Sequence, residues 1–242
     1  MSNEFADSGR MVAFIEEAET AIMLLDEGMR IVESWDGGFD RRVVALHLLA
    51  QGYERFLKLT LALAQLRQSG QLPSAREAQR WGHGLLKLLD MTLDEFEKDP
   101  SFVNRAAVRD DIACLRFEGR ARQQLGVLDE FASGGRYHSL DVMLDGHSQT
   151  ESPVDQWSAL ETSLFREDKE WTRLMEEDFA GFGPRWYPHL AAVQTQHLQR
   201  TARTLARAWT LGPARDEGKR LTGVVRRFLF LTDEDLVACP PR

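Results

Sequence analysis

Cysteine is scarce in this chain. Cys114 and Cys239 are the only two among 242 residues, they lie far apart, and neither has a CxxC neighbour. That spacing excludes a cysteine-based zinc site and points to a reducing, cytoplasmic setting, with Cys114 a buried helix residue and Cys239 part of a frayed tail. Long apolar runs are missing too: nothing approaches the roughly 20 residues that cross a bilayer, so no contact with a membrane is expected. The first residues carry no basic stretch leading into an apolar one and do not read as a secretion signal. Alternating β-branched residues are sparse and hairpin turns have no signature, which argues against a sheet. No repeat recurs at a solenoid period. A glycine-rich phosphate loop and HExxH are both absent, and GFGPRW (Gly181–Trp186) follows no strand and lacks the dinucleotide-binding spacing. No serine, histidine and aspartate sit in a recognisable nucleophile context. Neither a metal nor a cofactor is called for.

What is present is apolar periodicity. Hydrophobic residues make up 43% and charged residues 28%, which at this length suffices to bury a sizeable core. The formal net charge of -8 makes no global case for nucleic acid, yet its distribution is uneven. Met1–Asp40 holds ten acidic residues against Arg10 and Arg30, and Glu151–Phe182 holds nine against three basic ones. Arg185–Arg227 reverses the balance, with nine basic residues against Asp216 and Glu217.

The chain is organised around Arg41–Leu66. Leu46, Leu49, Ala50, Tyr53, Leu57, Leu61 and Ala64 recur at helical spacing. Phe56, Leu59, Leu63 and Leu66 make the later turns apolar nearly all round, so neighbours are predicted to bury this helix. The spacing predicts a first helix over 10–34, capped by Asp7 or Ser8 and stopped by Asp36-Gly37-Gly38. The central helix covers 41–67 and ends at Ser69-Gly70. Pro73 and Ser74 open a third helix with His83 in its later part. Thr92 and Glu95 read as the capping box of a brief helix closed by Asp99-Pro100. A fourth long helix is predicted over 102–133, ended by Gly134-Gly135, and Arg136–Asp141 is a turn or short helix. Gly146–Pro153 reads as a linker. Beyond it, Trp157, Leu160, Leu164, Trp171 and Met175 mark a fifth helix, and residues 181–189 a loop. Ala191–Trp209 marks a sixth helix stopped by Gly212-Pro213, and Leu221–Leu229 a seventh. The predicted fold is all-α: an antiparallel bundle of about seven helices, with 1–146 as the core bundle and 147–242 as a helical extension packed on it.

One polar line survives on the central helix: His47, Gln51, Glu54 and Lys58. His47 is a candidate general base or RNA contact, with a satisfied helix residue as the alternative. Glu54 and Lys58 form an i,i+4 pair. Arg42 precedes His47 by five positions and does not share its face on a straight helix, so joint action needs another element. His83 follows Trp81 and Gly82. Arg136, Tyr137 and His138 follow two glycines, where such residue types suit an anion or a base. Arg200, Arg203 and Arg207 of the sixth helix, with Lys219, Arg220, Arg226 and Arg227 of the seventh, present either phosphate-binding faces or ion pairs to the acidic first and fifth helices.

Leu48–Leu63 (LLAQGYERFLKLTLAL), then Gly82–Asp90 (GHGLLKLLD), then a long helix ending in Phe131–Asp141 (FASGGRYHSLD) resemble, in this order, the HEPN superfamily of all-helical domains. The resemblance implies a HEPN-like core in residues 1–146. It also implies either a ribonuclease or a member that has lost catalysis and binds RNA, a nucleotide or a partner protein, in a prokaryotic defence or stress system. Pairing of two chains into a homodimer is implied as well. Active members place an arginine a few residues before a histidine near a late helix. Here Arg136 has His138 too close and His147 too far, while Arg42 and His47 have the spacing but lie on the central helix. That departure favours a non-catalytic binding protein. The alternative is a metal-independent ribonuclease with Arg42, His47 and Glu54 as its catalytic set, histidine moving the 2′-hydroxyl proton and arginine stabilising charge on phosphate. A purely structural helical subunit is the third reading. In the first two, Arg136 and His47 are expected to open onto one concave surface with Glu54 deeper and His83 nearby. The competing arrangement pairs Glu54 with Arg116 or Arg120.

Overall fold

Two long helices pair first, α1 (Ser8–Glu33) and α2 (Arg42–Ser69). In the computed structural model, which describes residues 8–34, 41–117, 119–148, 151–167, 169–177 and 186–236, they run antiparallel. Leu25 lies against Gly52 and Gly28 against Leu49, so that sequence numbers rise on one helix as they fall on the other. A Cβ added at Gly28 would lie 2.8 Å from Leu49 Cγ, and one at Gly52 would lie 2.8 Å from Leu25 Cγ. Each leucine therefore occupies the space that a side chain on the facing glycine would need. The ends of α2 agree with the expectation: Gly70, at φ 74°, caps it and donates to Leu66 O at 2.7 Å. Asp7 and Asp36-Gly37-Gly38, read as the cap and stop of α1, lie outside the described residues.

The bundle is completed by α3 (Ala75–Trp81), α4 (Leu85–Glu97), α5 (Pro100–Val103), α6 (Ala106–Arg116) and α7 (Arg120–Ser133). A 3₁₀ turn (Gly135–Tyr137) leads to α8 (His138–Asp145), then come α9 (Pro153–Glu167), α10 (Lys169–Glu177) and α11 (Trp186–Leu211). A short α12 (Arg215–Gly218) and α13 (Thr222–Leu229) follow. No strand occurs among the described residues, and none of the described helices is long and apolar enough to cross a membrane. The expectation of about seven helices is corrected upward because the long ones are interrupted. Ser74 makes a capping box with Glu77, as Pro73-Ser74 predicted a helix start, but the helix stops at Gly82, whose φ of 79° is left-handed. His83 therefore sits between α3 and α4, not on a helix. Thr92 is no cap: it is buried within α4 and its hydroxyl donates to Leu88 O. The single helix expected over 102–133 is three, broken at 104–105 and again before Gly119. A side chain at Gly119 would collide with the Cys114 carbonyl. Trp186–His189, expected in a loop, form the first turn of α11; residues 181–185 lie outside the described ones.

One apolar core runs through residues on both sides of position 146. Trp209 of α11 meets Phe56 edge-on at 5.2 Å and its indole N–H donates to Thr60 at 2.8 Å. The hydroxyl of buried Tyr53 donates to Leu198 O at 2.6 Å, and burial raises its pKa well above the usual phenol value. These two contacts climb both helices in the same sense, so α11 runs parallel to α2. Cys114 is buried on a helix as expected, and it is disulfide-bonded, which the reading of a reducing setting did not anticipate; the other cysteine of the sequence, Cys239, lies outside the described residues.

Candidate functional site

The polar line of α2 faces a cleft. His47, Gln51 and Glu54 form its floor, Phe131, Ala132 and Ser133 at the end of α7 form one wall, and His83 and Arg136 close it. The volume of the cleft is about 300 Å³. A wider trough of about 570 Å³ continues along the same helix past Arg55 and Lys58 to Trp81, and shares Gln51, Glu54, His83 and Arg136 with the first. His47, Glu54, His83 and Arg136 thus line one concave surface.

Each position has a local cause. Steps of three and four along α2 keep His47, Gln51, Glu54 and Lys58 on one side. The loop carrying His83 is tied to α7, because the first amide of α4, Leu85 N–H, donates to Asp129 at 2.5 Å. That bond satisfies one of the first-turn amides, which have no acceptor within the helix. Asp90 and Arg122 then clamp α4 to α7 through two bonds of 2.8 and 3.0 Å. Arg136 is delivered by the 3₁₀ turn that follows Gly134.

Within the cleft, His83 Nδ1 lies 2.8 Å from Glu54 Oε1, which also accepts from Lys58 at 2.7 Å. A carboxylate accepts only, so Nδ1 carries the proton in this contact. The His83 side chain is 78% exposed against 22% for Glu54. His47 Nε2 lies 2.7 Å from Gln51, and its ring meets Phe131 edge-on. Arg136 has no carboxylate partner among the described residues; its guanidinium lies 5.0 Å from the centre of the exposed Tyr137 ring, a cation–π distance.

Glu54 is not paired to Arg116 or Arg120. Arg116 binds Asp94 and Glu97, and Arg120 binds Gln123 and Ser163. Arg42 stands apart from His47. Five helical steps turn it about 140° away, and it donates to Ser158 and pairs with buried Glu161 at 3.0 Å. Burial raises the Glu161 pKa against the pull of Arg42. The Arg42–His47 set is therefore not assembled within one chain. Tyr137 ends the 3₁₀ turn and His138 begins α8, and neither residue lines the cleft or the trough.

Arg200, Arg203 and Arg207 are not an open basic face. All three converge on Asp111 of α6, itself 1% exposed: Arg200 at 2.6 Å, Arg203 through Nε at 2.8 Å and Nη2 at 2.6 Å, and Arg207 at 3.4 Å. The ion-pair alternative holds: these arginines bind Asp111 of α6, and in the predicted seventh helix Arg227 pairs with Asp26 of the acidic first helix. Asp111 was legible as an anomaly: it falls between Val108 and Leu115 on the buried stripe of α6. Arg55 and Trp81 were missed as lining residues, though Arg55 follows Gln51 at the spacing that defined the line. Among the described residues no cluster of three or more potential ligands would hold a metal ion. No family model, curated protein or solved structure matches the chain.

Proposed function

We propose that the α2 cleft binds a phosphate-bearing ligand, RNA or a nucleotide, and that the protein acts as a non-catalytic, HEPN-like binding protein. The supporting observation is Arg136. It has no carboxylate partner among the described residues, is steadied by Tyr137, and opens on the same surface as two histidines. A guanidinium in that state offers its N–H fork to phosphate, and Trp81, which lines the wider trough, offers a ring face to a base. Titration with a short single-stranded oligoribonucleotide and with a nucleoside triphosphate tests this reading. Arg136→Ala is expected to weaken binding about tenfold, the scale of one charge-assisted contact. Unchanged affinity in that variant would remove the cleft from consideration.

A second reading, the metal-independent ribonuclease, draws on one specific observation: His83, ordered by Glu54, shares the cleft with His47. In that chemistry one imidazole takes the 2′-hydroxyl proton, and the oxygen attacks phosphorus. The bond from phosphorus to the 5′-oxygen breaks, and the other imidazole returns a proton to the leaving oxygen. The roles move from Arg42 and His47 to His47 and His83, with Arg136 at the phosphate. RNA cleavage in EDTA that disappears in both His47→Ala and His83→Ala, each still folded, is the expected result. Persistence of cleavage in either variant sinks it.

A further inference from the structure

The arginine cluster of α11 has an inner and an outer edge. On the inner edge, Asp111 holds Arg200, Arg203 and Arg207 through the bonds given above. On the outer edge, Arg203 Nη1 and Arg207 Nη2 both donate to the carbonyl of Leu231, at 3.3 and 2.9 Å, and Arg203 Nη2 reaches Asp233 at 2.8 Å. Both outer acceptors belong to the short turn that follows α13. That turn is held by Thr232, whose N–H and hydroxyl donate to Asp235 at 2.7 and 2.8 Å.

The charges on the two edges differ in permanence. Arg203 and Arg207 share the carboxylate of Asp111, which is 1% exposed, while the outer carboxylate on Arg203, Asp233, is 83% exposed. Surplus positive charge in a low-dielectric site demands a counter-anion. A carboxylate mostly in water, on a turn of a few residues, is the weakly held one. The guanidinium planes are meanwhile fixed from behind by Asp111, so they do not need the turn to keep their orientation.

We propose that the outer edge of Arg203 and Arg207 is a binding site for a phosphate group, occupied in this structure by the protein's own turn. Leu231 O and Asp233 Oδ1 stand where two oxygens of the ligand bind. A tetrahedral oxyanion supplies both acceptors from one centre, and its charge replaces that of Asp233. The ligand displaces the turn from Arg203 and Arg207 while Asp111 stays in place. This site is separate from the α2 cleft and does not depend on what the cleft binds.

The test is calorimetric titration of the full chain with inorganic phosphate and with O-phosphoserine at constant ionic strength, in wild type and in Asp233→Ala. Because the side chain of Asp233 is mostly in solvent, its removal leaves the fold intact and takes away an internal competitor. Apparent affinity is divided by the fraction of molecules with the site open, so Asp233→Ala is expected to bind about tenfold more tightly. A gain with inorganic phosphate alone identifies the free ion; a gain with both identifies a phosphomonoester. Either supports the site. Equal affinity in the two proteins overturns it. Arginine Nε–H resonances followed by NMR during the phosphate titration of Asp233→Ala locate the binding: shifts at Arg203 and Arg207 support it, and shifts confined to Arg136 overturn it.

Discussion

Two polar regions are carried by neighbouring long helices, and they behave oppositely. Around Asp111, arginines spaced i, i+3 and i+7 on α11 meet a carboxylate in the core and are enclosed by α6 and the turn after α13. Along α2, His47, Gln51, Glu54 and Lys58 lie at similar spacing but face a cleft bounded by the end of α7 and the loop at His83. The first region is closed by the protein's own groups, Asp111 on its inner edge and the turn after α13 on its outer edge. The second keeps unsatisfied capacity at Arg136 and an exposed imidazole at His83. The lesson is that polar character on a helix does not decide between a structural knot and a site. Enclosure does, because desolvated charges must find partners inside the protein while solvated ones remain available.

The comparison breaks first at Asp111. Asp111→Ala leaves three guanidiniums with their inner partner gone, and is expected to cost about 3–5 kcal/mol of stability, measured by urea unfolding. A loss below about 1 kcal/mol would show that the cluster is solvated in solution and not a knot.

The second test uses pH and His197, one turn from Arg200 and buried. Desolvation, with the charges of Arg200 and Arg120, pushes its pKa from 6.5 down to about 4. The unfolded chain therefore takes a proton on this group before the folded one does. Stability is full above pH 6.5 and falls as pH drops toward 4, by about 3 kcal/mol over the window. Glu161 acts in the opposite sense: its raised pKa means that the folded state takes its proton first as pH falls. His197→Gln should flatten the descent between pH 6.5 and 4; an unchanged profile would mean that the ring is hydrated.

Smaller effects are expected in the cleft. Glu54→Gln removes a helix pair and a histidine partner at partly exposed positions, for a loss of about 1 kcal/mol or less. Its sharper signature is at His83, where NMR should show the Nδ1–H tautomer losing population. A tautomer that does not respond would mean that the Glu54–His83 contact is absent in solution. Smallest of all is the stability change in Arg136→Ala, within about 0.5 kcal/mol, while ligand affinity falls. A large stability loss there would make Arg136 structural and collapse the difference between the two regions.

Much of this was legible beforehand, and the reasons differ by element. Apolar spacing alone marked the α2 stripe, whose members Leu46 to Leu66 are buried, and Gly70 ended the helix where glycine was needed. The line His47, Gln51, Glu54 and Lys58 was visible too, since residues three and four apart must share a side. Breaks inside long helices were not. Gly82 turned into a left-handed stop and Gly119 into a close approach to Cys114 O, and neither conformation is written in local propensity. Thr92 looked like a cap because capping residues also serve in helix interiors when their hydroxyl bonds back to the preceding turn.

What the sequence determined by itself is therefore periodic and local: an all-helical chain, the apolar side of each helix, and the grouping of polar residues along a face. Only the tertiary structure decided which polar face was walled in and which stayed open. It turned Arg42 to Glu161, gathered Arg200, Arg203 and Arg207 on Asp111, and brought His83 and Arg136 to His47 and Glu54 from 29 or more positions away along the chain. The physical reason is that helix periodicity is a property of neighbouring residues, whereas desolvation depends on everything packed around a group, including segments distant in sequence.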